Sequence, residues 1–210
     1  MKDVLGVYAR PPDPARPLVC FDEASKELHG EVRAPLPAAP GQPARDDPEY
    51  VRHGTANLFL WCAPHLGRRG VAVTERRTRL DLAHAIRDLV DRQFPAAEKI
   101  VLVLDNLNIH DPASLDAAFP PAEAKRLWGK LEVHPTPNHG SWLNIAAIEL
   151  SVLGRRCLDR RILDQATLTT EVAAWVAARN AAAVSVDWHF TTADARTTLK
   201  RRYPVLEPVV

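Results

Sequence analysis

Ile100-Val101-Leu102-Val103-Leu104-Asp105 is the stretch on which the fold turns. Five apolar residues follow one another without polar alternation. That pattern is a strand buried on both faces, as in a parallel sheet covered by helices above and below. The run stops on an aspartate. Upstream, Leu18-Val19-Cys20-Phe21 repeats the pattern and stops on Asp22. Leu28 to Arg33 alternates and is expected to be the hairpin partner of that first strand. Ala56 to Cys62 is a further strand. Gly67 to Gly70 makes a turn and Val71-Ala72-Val73 a short strand, so an antiparallel meander is expected here. Leu131-Glu132-Val133-His134 is the last strand signal. Leu80, Ala83, Ile86, Leu89, Val90 and Phe94 recur at helical spacing, a helix ended by Pro95. Further helices are expected over 113–130, interrupted by Pro120-Pro121, and over 143–158 and 168–180. Thr191 and Asp194 have the spacing of a capping box for a final helix through Arg202. Strands and helices in this order give an α/β chain with an open mixed sheet flanked by helices. Residues 34–50 are a proline-rich loop, and loops of that length are often functional or mobile.

The bulk numbers narrow the class. The chain has 210 residues, 46% hydrophobic and 25% charged, enough for a core that needs no staples. A net charge of +1 argues against a long basic tail, although a local patch could still hold DNA. No apolar run approaches the roughly 18 residues of a membrane helix. Met1-Lys2-Asp3-Val4 opens no signal-peptide apolar core. Cys20, Cys62 and Cys157 are odd in number and form no CxxC pair, which fits packing roles in a reducing cytoplasm and offers no zinc site.

Asp22 and Asp105 are the residues with chemical promise. Each is expected at the carboxyl end of an apolar strand, where open α/β sheets place their sites. Two carboxylates brought together repel each other unless a cation lies between them. Magnesium takes oxygen ligands and keeps several waters, so few carboxylates suffice. Two ions about 4 Å apart can activate a water and stabilise the leaving oxygen of a phosphodiester. Other readings of the same residues are that each Asp caps the loop or helix that follows, or that one is the nucleophile of a phosphatase of the haloacid-dehalogenase type.

The downstream segment bears on that choice. Pro137-Asn138-His139-Gly140-Ser141-Trp142-Leu143-Asn144 leads into Ile145-Ala146-Ala147-Ile148-Glu149. Together with Val19 to Glu23 and Val103 to His110 it resembles the DDE transposases. More closely, it resembles the bacterial insertion-sequence branch of the mariner superfamily, the insertion-sequence six-thirty family. The likeness continues through Val73 to Thr78, Ser151-Val152-Leu153, Cys157 to Arg161, Asp187-Trp188 and Phe190 to Arg196. It implies an RNase H-like, mixed five-stranded sheet flanked by helices. It also implies two magnesium or manganese ions, cleavage of DNA at transposon ends and joining of those ends to a target. Position by position, Asp22 is the first acid and Asp105 the second. The family's third acid follows the Leu-Asn pair by three residues, and here that position is Ala147. Glu149 comes two places later. Two residues turn a helix by about 200°, so Glu149 is expected to face away from the pair and to be a poor substitute ligand.

Other polar residues are weaker candidates. Arg76, Arg77, His110, Asn144, Arg155 and Arg156 are candidate DNA contacts, with Arg79, Arg160 and Arg161 also basic and nearby in sequence. His110 and Asn144 read equally well as ordinary hydrogen-bonding residues. Ser141 is a candidate helix cap and Trp142 a candidate for core or helix-entry packing. The whole of 1–210 is expected to be one catalytic domain. The family's helix-turn-helix module would precede it, and only 21 residues precede Asp22, so that module is expected elsewhere. DNA is the expected partner, with a second copy or a separate DNA-binding part. The competing reading is an inactive remnant that binds nucleic acid or a partner transposase without cutting.

Overall fold

The computed structural model describes residues 1–45, 47–105 and 112–198. Five strands form one sheet: β1 (Leu18–Glu31), β2 (Tyr50–Ala63), β3 (Arg68–Thr74), β4 (Ile100–Leu104) and β5 (Leu131–Pro135). Their order is β3-β2-β1-β4-β5. The β1–β2 and β2–β3 pairs are antiparallel, and β1–β4 and β4–β5 are parallel. The sheet is therefore mixed, with β1 as the strand where the sense changes.

Seven helices surround it among the described residues: α1 (Lys2–Tyr8), α2 (Arg79–Asp88), α3 (Pro112–Ala118), α4 (Pro121–Gly129), α5 (Ile145–Arg156), α6 (Gln165–Ala181) and α7 (Thr192–Thr198). Strand side chains alternate between faces, and the core divides accordingly. Leu18, Cys20, Leu58, Leu60, Val101 and Val103 pack with residues of α1, α5, α6 and α7. Val19, Phe21, Phe59, Trp61, Leu102 and Leu104 pack with α2, α3 and α4. Apolar residues at every position of β4, all buried, are what a strand between two helical layers requires. No helix among the described residues is long and apolar enough to cross a membrane.

Local chemistry sets the helix starts. Thr78 and Asp81 form a reciprocal capping box at α2, and Thr191 and Asp194 make the matching pair at α7. Asp164 caps α6 by accepting from the Thr167 N–H at 2.7 Å. Pro120-Pro121 divides the expected 113–130 helix into α3 and α4.

One expectation is corrected. Leu28 to Arg33 is not the hairpin partner of the first strand. Most of it continues β1, which runs unbroken to Glu31 and pairs along its length with β2. The apolar signal ends at Asp22 because only the first part of β1 also borders β4. Beyond that, β1 has mostly exposed and half-buried positions, with Leu28 the one large apolar side chain it still buries. The register shifts between Glu27 and His29, and such irregularities blur a period-of-two reading.

Candidate active site

Asp22 lies inside β1 rather than at its end, because β1 is longer than its apolar run. Asp105 directly follows β4. The parallel pairing aligns Leu18 with Val101, Val19 with Leu102 and Cys20 with Val103. Two residues further along each chain, that register arrives at Asp22 and Asp105 together. Neighbouring strands run about 4.8 Å apart. By alternation, Asp22 belongs with Leu18 and Cys20 and Asp105 with Val101 and Val103, which is the face covered by α5. Both residues are half-buried. The Glu23 N–H donates to Asp22 Oδ1 at 2.8 Å.

The start of α5 is fastened to the same place. Asn144 is fully buried and does two jobs. Its Oδ1 accepts the Ala146 N–H at 3.1 Å, capping the helix, and its Nδ2 donates to the Phe21 carbonyl at 2.8 Å. Phe21 is the residue before Asp22, so the first turn of α5 is tied to the backbone that carries this carboxylate. A second fastening comes from α1, where the Tyr8 hydroxyl donates to the Leu143 carbonyl at 2.6 Å. Burial pushes the Tyr8 phenol far above its ordinary range, with Cys20 adding to the effect.

Ala147 is half-buried in the first turn of α5, and its N–H bonds to the Asn144 carbonyl. Glu149 is 2% exposed and lies over a different part of the sheet. Its Oε2 is 3.1 Å from Arg69 Nε of β3 and its Oε1 accepts from Arg179 Nη2 of α6 at 2.8 Å. Arg69 also donates to the Val184 carbonyl. Asn180 of α6 bonds both the N–H and the C=O of Arg69, each at 2.9 Å, as a neighbouring strand would. Burial lowers the Arg69 guanidinium from its usual range, and Glu149 beside it counteracts that. Among the described residues, no three His, Cys, Asp or Glu side chains gather where a metal ion could be held.

The remaining candidates are dispersed. Arg76 and Arg77 are exposed between β3 and α2, and Arg79, also exposed, is the first residue of α2. Thr74 pairs with Asn57, which pairs with Ser25, so this loop lies at the Asp22 end of the sheet, two strands across. Arg155 and Arg156 are exposed at the far end of α5, about 17 Å along the helix from Asn144. Arg160 pairs with Glu171 and Arg161 with Glu31. His110 lies outside the described residues. Asn144 is corrected from a candidate DNA contact to a buried cap, since both its polar atoms are spent on backbone. Ser141 is not the cap of α5, because a single 3-10 turn, Ser141–Leu143, intervenes. Trp142 is not core: it is 43% exposed. Cys20 and Cys62 are buried and Cys157 half-buried, all three as free thiols. The Glu149 ion cluster was the feature least visible in sequence, since Arg69 and Arg179 lie 80 and 30 residues from it.

A family model described as DDE superfamily endonuclease matches residues 17–169. That span contains the whole sheet, both aspartates and α5. Among solved structures, the chain is similar to the Mos1 mariner paired-end complex with Mn, at 17% identity and a TM-score of 0.57, over 86% of this chain and 55% of that one. It is also similar to a pre-cleavage Mos1 transpososome, at 16% identity and a TM-score of 0.57, over 97% of this chain and 60% of that one. At such identities the likeness concerns the fold, an RNase H-like mixed sheet with flanking helices. The chain spans between half and two thirds of the length of these Mos1 chains. No curated protein matches it.

Proposed function

The chain belongs to the DDE superfamily endonucleases, and we propose that it is the catalytic domain of a cut-and-paste DNA transposase weakened by Ala147. The proposal includes the insertion-sequence six-thirty branch of the mariner superfamily, a bacterial source and a cytoplasmic place of action. DNA at transposon ends and at the target would be the substrate. A second copy, or a separate end-binding part, would complete the assembly.

One observation carries this reading: Asp22 and Asp105 arrive at the same level of two adjacent parallel strands, on the sheet face where α5 begins. Two carboxylates so placed fit hard divalent cations such as magnesium or manganese, which take oxygen ligands and keep water for the rest. Such ions, when bound, activate a water and offset charge on a phosphodiester. The chain's own part is to hold the two carboxylates level and on one face. Asn144 fixes the helix start beside them through the Phe21 carbonyl. Arg76 and Arg77, exposed at the same end of the sheet, would supply the phosphate contacts.

The third donor is where the fit weakens. Ala147 has no side-chain oxygen to offer, and Glu149 is engaged by two arginines elsewhere. That observation favours a second reading, a domain that binds DNA or a partner transposase without cutting. A manganese titration by calorimetry separates them, run on the chain as it is, on Ala147→Glu and on Glu149→Ala. The parent should bind weakly, Ala147→Glu should bind more tightly, and Glu149→Ala should match the parent. If Glu149→Ala abolishes binding and Ala147→Glu adds nothing, Glu149 is the third acid. DNA cutting by Ala147→Glu, with an end-binding module supplied, would establish the catalytic reading.

A further inference from the structure

Trp142 is an indole left in solvent between anchored neighbours. Leu143 and Asn144, which follow it, are both fully buried. Tyr8 holds the Leu143 carbonyl and Asn144 holds the Phe21 carbonyl. On the other side, the Gly140 N–H donates to the Pro137 carbonyl at 2.8 Å. A Cβ at Gly140 would come within 2.6 Å of the Pro137 ring, so this turn is closed too tightly for a side chain. His139, exposed in the same turn, takes a φ of 60°, a conformation rare outside glycine. The backbone under Trp142 is thus fixed on both sides. Its ring meets Phe190 in a T-shaped contact, centroids 5.5 Å apart and planes at 78°. That contact steadies the indole, yet the residue stays 43% exposed.

We propose that Trp142 is a stacking platform for an unpaired nucleobase next to the phosphodiester presented to Asp22 and Asp105. This inference rests on the transposase reading above. The position supports it. Trp142 is two residues from Asn144, a reach of at most about 7 Å along the chain, and Asn144 touches the carbonyl adjoining Asp22. A strand whose phosphate lies at the carboxylates has bases within that distance. The chemistry supports it as well. A rigid aromatic face accepts any base, and the ring is already held, so little entropy is lost on stacking. The charge is suitable, because residues 137–146 carry no acidic side chain to repel a nucleic acid strand.

The test uses the full chain at low salt and two probes. One is a blunt duplex. The other is the same duplex with a short single-stranded 3′ overhang containing 2-aminopurine, whose fluorescence falls on stacking. The parent should bind the overhang probe more tightly than the blunt one and quench it. Trp142→Ala should bind the overhang probe about tenfold more weakly, as expected for one base–aromatic stack of about 1–3 kcal/mol, with the quenching gone and blunt binding unchanged. Trp142→Phe should retain most of both effects. Overhang affinity and quenching that survive Trp142→Ala would overturn this inference while leaving the transposase reading intact. So would equal loss on both probes, or a parent dimer that Trp142→Ala dissociates without changing the overhang signal. A parent that binds neither probe would remove both readings.

Discussion

Replacing Glu149 with alanine should cost this domain about 3–5 kcal/mol of stability and leave its metal affinity nearly unchanged. The side chain is 3% exposed and faces Arg69, whose side chain is 1% exposed, and Arg179, at 23%. Removing one partner of a buried ion pair leaves a charge with neither water nor counter-ion, which costs about 3–5 kcal/mol. Arg179 contributes less of that loss, because it can turn toward solvent and stays over the Trp175 ring, 5.2 Å from its centroid. Arg69 has no such exit and is bonded to the Val184 carbonyl. In a chain of this size each kcal/mol moves the melting temperature by about 2–4 °C. The expected drop is therefore roughly 6–20 °C.

Urea melts of the parent, Glu149→Ala, Arg69→Met and the double variant Glu149→Leu/Arg69→Met supply the measurement. Each single change should be strongly destabilising. The double change should recover part of the loss, since an apolar pair of similar volume often replaces a buried ion pair at little cost. A Glu149→Ala variant that loses under about 1 kcal/mol, the range of an exposed ion pair, would refute the buried cluster. Additive single losses would refute the coupling between Glu149 and Arg69.

Asp22→Asn should abolish the manganese binding that the parent retains, read by calorimetry; unchanged binding would remove Asp22 from the ligand set. Asn144→Ala should cost about 2–4 kcal/mol in urea melts, combining a lost helix cap with a buried Phe21 carbonyl left without its partner; a loss under 1 kcal/mol would show that α5 is not held by this residue. Glu132, held by Arg10, His134 and Arg16, has its carboxyl pushed down from 4.5 to about 2. A depressed acid stabilises the fold above its unfolded value, and that contribution fades as pH falls from about 4.5 toward 2. The melting-temperature gap between parent and Glu132→Gln should therefore be widest at neutral pH, narrow below about pH 4.5 and close only near pH 2.

The two carboxylates were legible in sequence because each interrupts an apolar run that has to be buried. β4 shows this most cleanly: with five of five positions buried, no other element class suits it, and the next residue is Asp105. Asp22 was expected at the end of its strand, but β1 runs nine residues past it in a stretch where Leu28 is the one buried large apolar side chain. Of the two expectations for Trp142, core or helix-entry packing, the core one fails for a related reason. Composition assigns tryptophan to the interior, but its exposure is set by Tyr8, Asn144 and Gly140, through contacts up to 135 residues apart in sequence. The ion cluster around Glu149 was illegible on the same ground.

These contacts together explain why two residues so close in sequence have unrelated roles. The Asn144 side chain fixes where α5 begins against β1. The grip of Arg69 and Arg179 on Glu149 ties the helix to β3 and α6 and so fixes how it is rotated over β1 and β2. Once both are set, position 147 is decided by helical geometry alone, about 200° around from Glu149. A carboxylate at 149 cannot turn toward Asp22 and Asp105 without leaving two arginines behind, one of them deeply buried. A carboxylate at 147 would break no side-chain bond, because the alanine side chain has no polar atom. On the proposed transposase reading, position 147 is therefore the better place on α5 for a third acid. Ala147→Glu is on that ground expected to fold with near-parental stability, whereas Glu149→Ala is not.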